Sequence, residues 1–216
     1  MMIEIEVSFK IPNNKLFAKY YNCQCIGEYG IGIVSENKVV DDYYDTINND
    51  IWSAGYKLRL RHILNNHFVT IKSGKSNHPR FSVRNEFEFE IDEDVVDITS
   101  WKNAYAVQLL EGIIENKVLE LKFQLRQHRH IRDIYFEKVN VGILSLDVVR
   151  VFYDNLELDV FSILEVEVYN MNNLGILEEI CNEIEDDGFC ITHVAKLSRA
   201  AKAIEDYKSI RKNYVE

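Results

Sequence analysis

Residues 3–9 read IEIEVSF and residues 164–168 read LEVEV. Strict alternation sends successive side chains to opposite faces of a strand, so each segment joins an acidic face to an aliphatic one. Two further segments repeat the pattern. YKLRLRHI at 56–63 sets Lys57, Arg59 and Arg61 against Leu58 and Leu60, and NEFEFEI at 85–91 sets Glu86, Glu88 and Glu90 against Phe87, Phe89 and Ile91. Neighbouring side chains on one strand face lie about 7 Å apart, so like charges repel unless an opposite strand, a cation or an anion neutralises them. An open sheet with a wet face of cross-strand ion pairs accounts for each strand taken singly. A closed barrel accounts for all four together. Its charged faces line a lumen, its apolar faces lie under helices, and both signs of charge share a confined space of lowered dielectric.

Period-two patterning also predicts strands at 41–46 (DDYYDT), 67–74 (HFVTIKSG), 121–136, 142–153, 156–161 and 163–169. Helical spacing appears at Pro12–Cys23, 97–117, Leu174–Ile184 and Ser198–Arg211. In the second of these, Trp101, Tyr105, Leu109 and Ile113 form a face expected to cover the sheet, with a lid or a dimer surface as alternatives for the segment 93–118. The predicted class is α+β with a dominant antiparallel sheet. Two Pro, nine Gly and no repeat leave no visible linker, so a single domain over 1–216 is expected.

The formal net charge of −10 argues against binding nucleic acid or an anionic membrane with the whole surface. No apolar run approaches the roughly 18 residues of a spanning helix, and no signal peptide is visible. Cys23, Cys25, Cys181 and Cys190 make no pair of CxxC motifs, which fits reduced thiols in a cytoplasmic protein and gives no zinc motif.

The donor chemistry is more specific. Carboxylates in E-x-E pairs offer hard oxygen ligands to Mg²⁺ or Mn²⁺. Arg and Lys suit phosphate oxygens. Both sets together point to a metal-bound polyphosphate.

Taken in order, IEIEVSF, YYDT, the Arg59/Arg61 pair, VTIKSG, NEFEFEI, LELDVFSILEVEV and AKLSR resemble the CYTH, or triphosphate tunnel metalloenzyme, superfamily across about residues 3–199. The resemblance implies an eight-stranded antiparallel tunnel barrel. It also implies Mg²⁺- or Mn²⁺-dependent hydrolysis of a small-molecule triphosphate, inorganic or organic, such as thiamine triphosphate. A cyclase converting ATP to cyclic AMP and pyrophosphate, or a catalytically weak polyphosphate-binding module, are the alternatives. No membrane or nucleic-acid partner is expected, and a homodimer stays open.

Residue by residue, the resemblance places Glu4 and Glu6, and Glu165 and Glu167, as the metal-holding catalytic pairs. Glu88, with Glu86 next, and Asp159 join them as metal ligands. Arg59, Arg61, Lys72 and Lys196 match phosphate-binding basics, with Arg199 as a neighbouring candidate. In LRQHRHIRD (125–133), Arg126 and Arg129 have opposite parity and cannot both point inward from a regular strand. Arg126, sharing parity with His128, His130 and Arg132, is favoured, and Arg129 competes. The pair His128 and His130 is read as a polar strand face, because hard cations prefer oxygen. One departure stands out. The family signature E-x-E-x-K has Ser8 at its Lys position here, with Lys10 one step further along. In the family that Lys positions the attacking water or reactive phosphate.

Overall fold

The computed structural model describes residues 2–73, 78–92, 96–192 and 196–213. In chain order the strands are β1 (Met2–Lys10), β2 (Cys25–Ile26), β3 (Tyr29–Ile31), β4 (Ser35–Thr46), β5 (Tyr56–Ile63), β6 (Asn66–Ser73), β7 (Ser82–Ile91), β8 (Leu119–Phe136), β9 (Val139–Tyr153), β10 (Leu156–Val168) and β11 (Cys190–Ile191). Eight of them form a ring in the order β8-β4-β5-β6-β7-β1-β10-β9, and β9 pairs back to β8 to close it. Every pairing in the ring is antiparallel. The β2–β3 pair extends from β8, and β11 pairs with β1. Closure leaves no free edge on the eight ring strands.

Five helices accompany the ring among the described residues: α1 (Asn14–Asn22), α2 (Asp50–Ser53), α3 (Ala104–Ile114), α4 (Leu174–Asp186) and α5 (Lys196–Asn213). Asn13 caps α1 by accepting from the Leu16 amide at 3.0 Å. Arg132 closes its other end, donating to the Tyr20 and Tyr21 carbonyls at 3.2 and 2.9 Å. The β8–β9 and β9–β10 hairpins turn on residue pairs with positive φ, Glu137–Lys138 (46° and 69°) and Asp154–Asn155 (50° and 61°). That geometry matches the strand twist, and Asp and Asn adopt it readily.

Strand parity partitions the core. On the outer face, Ile5, Val7 and Phe9 of β1 join Leu144, Leu146, Leu164 and Val166 beneath Tyr20 of α1 and Leu177, Ile180 and Ile184 of α4. Across the ring, Leu58, Leu60, Val69 and Ile71 pack under Trp101 and Ala106, Leu110 and Ile114 of α3. A third cluster has lumen parity: Leu125, Val149, Val151, Phe161 and Ile163, closed by Ala200 of α5.

Several boundaries differ from the sequence reading. The strands expected at 156–161 and 163–169 are one, β10, with a register shift between Glu157 and Asp159. The segment 41–46 is the second half of a longer β4, whose first half SENKVV lacks clean alternation. The helix expected over 97–117 is a 3₁₀ turn at Ile98–Ser100 followed by α3, separated where Asn103 caps α3 through the Ala106 amide at 3.1 Å. Its buried face runs through Ala106, Leu110 and Ile114, one step on from the expected positions, while Tyr105 is 57% exposed and stacks on Phe87. Residues 74 and 93–95 of the expected strand and insertion lie outside the described residues.

Candidate active site

A cavity of about 240 Å³ occupies the lumen. β1 supplies Glu4 and Glu6, β5 Arg59 and Arg61, β6 Lys72, β7 Arg84, Glu86 and Glu88, β8 Arg129, and β10 Glu165 and Glu167. Ser145 of β9, Tyr43 of β4 and Lys196 of α5 complete the polar wall. Among the described residues, six carboxylates and six cations therefore share this cavity. The two E-x-E segments are neighbours: Glu6 faces Glu167 and Ser8 faces Glu165 across β1 and β10. Gly142 of β9 keeps the next strand close to this pair, because a Cβ there would meet the Glu167 carbonyl oxygen at 2.2 Å.

The cations are held by carboxylates, two of them deeper than the lining. Asp41, fully buried, accepts from Arg61 Nε and an Arg61 terminal nitrogen at 2.7 and 2.8 Å, and lies 3.5 Å from Arg59. Asp147, also fully buried, accepts from Arg129 Nε at 3.1 Å and from the Lys196 ammonium. Lys196 reaches the Glu165 carboxylate as well, at 2.7 Å. Lys72 contacts Glu4 at 2.5 Å and Glu86 at 3.3 Å, and Arg84 pairs with Glu6. Burial raises the Asp41 and Asp147 carboxyls, but their cations outweigh it and hold both below the usual carboxylate range. Glu4 is lowered likewise: Lys72 and Arg84 overcome its desolvation. Glu167 behaves oppositely. Burial and the negative charge of Glu4 push its carboxyl up to about 7.

Among the described residues the network is incomplete: Glu4 Oε2, Arg59 Nε and Arg84 Nε are buried with no hydrogen-bond partner there. Arg84 Nε lies 3.3 Å from Glu4 Oε2 but outside hydrogen-bonding alignment. Such atoms are costly to leave unsatisfied. An unsatisfied carboxylate oxygen and a carboxyl raised to about 7 by burial and a like charge are both relieved by a cation. The unsatisfied guanidinium donors are relieved by an anion. Among the described residues the acidic wall contains no His or Cys, so its donor set fits a hard divalent cation held through oxygen by Glu4, Glu6, Glu165 and Glu167.

Other expected site residues fall elsewhere. Arg126 is exposed, stacks on Phe152 at 4.1 Å and donates to Gln124. Its parity is the outward one, shared with His128, His130 and Arg132, whereas Arg129 points into the cavity. Asp159 does not line the cavity. It lies beyond Phe161 along β10 and pairs with Arg199 at 2.6 Å. Lys10 is exposed at the end of β1. Ser8 donates to Glu165 Oε1 at 3.4 Å, and the cations beside Glu165 are the Lys196 ammonium at 2.7 Å and the Arg129 guanidinium at 3.9 Å. Arg84, Asp41 and Asp147 were not anticipated. Arg84 shares parity with Glu86 and Glu88 and is legible once the strand is started at Ser82.

All four cysteines are free. No described helix is long and apolar enough to cross a membrane. Solved structures share the fold at low identity. A Hippeastrum candidate adenylyl cyclase described as having a dominant triphosphatase activity is 16% identical, with a TM-score of 0.57 over 92% of this chain and 95% of that one. A candidate adenylate cyclase from Bacillus halodurans is 18% identical, with a TM-score of 0.55 over 85% and 90%. A Pyrococcus horikoshii protein is also 18% identical, with a TM-score of 0.53 over 94% and 98%. No curated protein matches the chain. The family model for the CYTH domain matches residues 2–176, and with the charged lumen this establishes that the chain belongs to the CYTH family.

Proposed function

We propose that the chain is a metal-dependent triphosphatase that hydrolyses a triphosphate bound in the barrel lumen. The observation that carries this reading is the joint presence of an unsatisfied buried carboxylate oxygen and two unsatisfied buried guanidinium donors in one cavity. Arg59, Arg61, Lys72, Arg84, Arg129 and Lys196 bind the phosphate chain. Asp41 and Asp147 fix the aim of four of these cations, so little reorganisation is needed as charge develops. Mg²⁺ or Mn²⁺ on Glu4, Glu6, Glu165 and Glu167 would supply charge neutralisation and Lewis acidity at the phosphate oxygens. Glu165, bridged to Ser8 and Lys196, orients water toward the terminal phosphorus. Lys196 thereby takes the place of the signature Lys that Ser8 replaces. Positioning and electrostatics supply most of the acceleration.

A larger cavity, about 670 Å³, favours an organic triphosphate over an inorganic one. It opens where Tyr43, Lys57, Phe123 and Tyr153 meet Ala201, Ile204 and Lys208 of α5, and Tyr43 borders both cavities. Tyr43 and Phe123 stack at 4.8 Å, a surface suited to a flat ring.

Purified protein assayed with tripolyphosphate, thiamine triphosphate and ATP, each with Mg²⁺ or Mn²⁺, tests the proposal. Metal-dependent release of orthophosphate is expected, and Glu4→Gln should lower turnover by about 10²–10³-fold with the fold intact. Cyclic AMP and pyrophosphate from ATP would replace this reading with a cyclase. Tight tripolyphosphate binding without turnover would replace it with a binding module.

A further inference from the structure

We propose that Glu36, His128 and His130 form a second metal site, on the outer wall of the barrel, that takes Zn²⁺ or a similar transition-metal ion. His128 and His130 stand two residues apart on the outward face of β8, and Glu36 of β4 is the direct cross-strand partner of His130. One ligand atom from each lies within 4.8 Å of the others. Glu36 Oε2 and His128 Nε2 are 3.3 Å apart. Zinc bonds of about 2.0–2.1 Å put tetrahedral ligand atoms roughly 3.3 Å from one another, a spacing the Glu36–His128 pair already has and the Glu36–His130 pair, at 4.0 Å, approaches.

The surroundings fix the imidazole for this role. His130 Nδ1 lies 2.9 Å from the Leu146 carbonyl, which can only accept. Nδ1 therefore carries the proton, and in the neutral ring the Nε2 lone pair faces Glu36. Phe17 and Tyr21 of α1 hold the same ring edge-on at 5.8 and 5.3 Å. The Tyr21 hydroxyl donates to Glu36 Oε1 at 2.8 Å, which orients the carboxylate. The two imidazoles lie 4.3 Å apart, where two imidazolium charges would repel and two neutral ligands on one ion would not. Two nitrogens and one carboxylate suit zinc, whereas the all-oxygen wall of the lumen suits a hard cation. Half-exposed His128 and Glu36 leave the fourth position to solvent.

The test uses the metal-free full chain with Mg²⁺ in excess to occupy the lumen carboxylates. Zn²⁺ is titrated against a chromophoric chelator, and Co²⁺ is added separately to read ligand-field absorption. One equivalent of zinc should bind, and four-coordinate cobalt bands should appear. His128→Ala and Glu36→Gln, both at exposed side chains, should each weaken zinc binding beyond the roughly 10–100-fold typical of losing an outer-shell partner. His130→Ala removes a buried ring, so the two exposed variants carry the test. Absence of zinc binding in the wild type, or binding that survives both variants and disappears in Glu4→Gln, would overturn the proposal.

Discussion

Along β10, Glu165 and Glu167 point into the lumen among six cations, whereas Phe161 and Ile163, on the same face of the same strand, pack with Leu125, Val149 and Val151 against Ala200 of α5. Parity decides whether a side chain enters the barrel. Position along the strand decides whether it meets charge or hydrocarbon. The two zones meet at Asp41 and Asp147. Asp41 lies opposite Leu125, and Asp147 opposite Ile163, yet each contacts two cations of the charged zone. Hydrocarbon on one side keeps water away from these ion pairs, which strengthens them and makes a missing partner costly.

Substitutions at that junction perturb both zones. Asp147→Asn leaves Arg129 and Lys196 short of a buried counter-charge and should cost about 3–5 kcal/mol of stability, measured by urea unfolding. Within the dry zone, Leu125→Ala should cost about 2–5 kcal/mol by removing buried hydrocarbon. It should leave tripolyphosphate affinity close to wild type, because Leu125 does not line the charged cavity.

The charged zone has a pH signature of its own. The Glu167 carboxyl rises from an ordinary 4.5 to about 7 in the folded chain. The folded state therefore binds the proton more tightly than the unfolded state. That stabilising contribution is fully present below about pH 4.5 and is lost as pH rises through about 7. In the metal-free protein the loss amounts to about 3 kcal/mol at most, and Glu167→Gln should flatten this part of the stability–pH curve. Affinity for Mn²⁺ should run the other way, rising as the proton leaves. The smallest contrast separates Arg126 and Arg129 of β8. Arg129→Ala should weaken tripolyphosphate binding by about 2 kcal/mol, the scale of a charged hydrogen bond. Arg126→Ala, outside the barrel, should change it little.

Those arginines also show how far the amino-acid pattern could be read. IEIEVSF, YKLRLRHI and NEFEFEI each have one polar and one apolar face, so inward and outward sides were legible, while the count of eight strands in a closed ring was implied by the family resemblance. β8 has no such contrast. Its outward side carries Arg126, His128, His130 and Arg132 because α1 meets it with backbone carbonyls and Tyr21 rather than hydrocarbon alone. Polarity therefore did not identify the lumen side, and Arg126 was favoured over Arg129. Asp41 and Asp147 were illegible for a related reason. Their same-face neighbours are Val39, Tyr43, Ser145 and Val149, so no single-sign run announces them, and only the strand register sets Asp41 opposite Arg61 and Asp147 opposite Arg129. Asp159 has lumen parity but lies past the dry zone, a distinction that requires knowing where the charged segment ends.

A crystal structure with tripolyphosphate and Mn²⁺ tests the central claim most directly. The account predicts anomalous density for manganese against Glu4, Glu6, Glu165 and Glu167, with phosphate oxygens on Arg59, Arg84 and Arg129. Phosphate bound only outside the barrel, or manganese absent from those carboxylates, would contradict it.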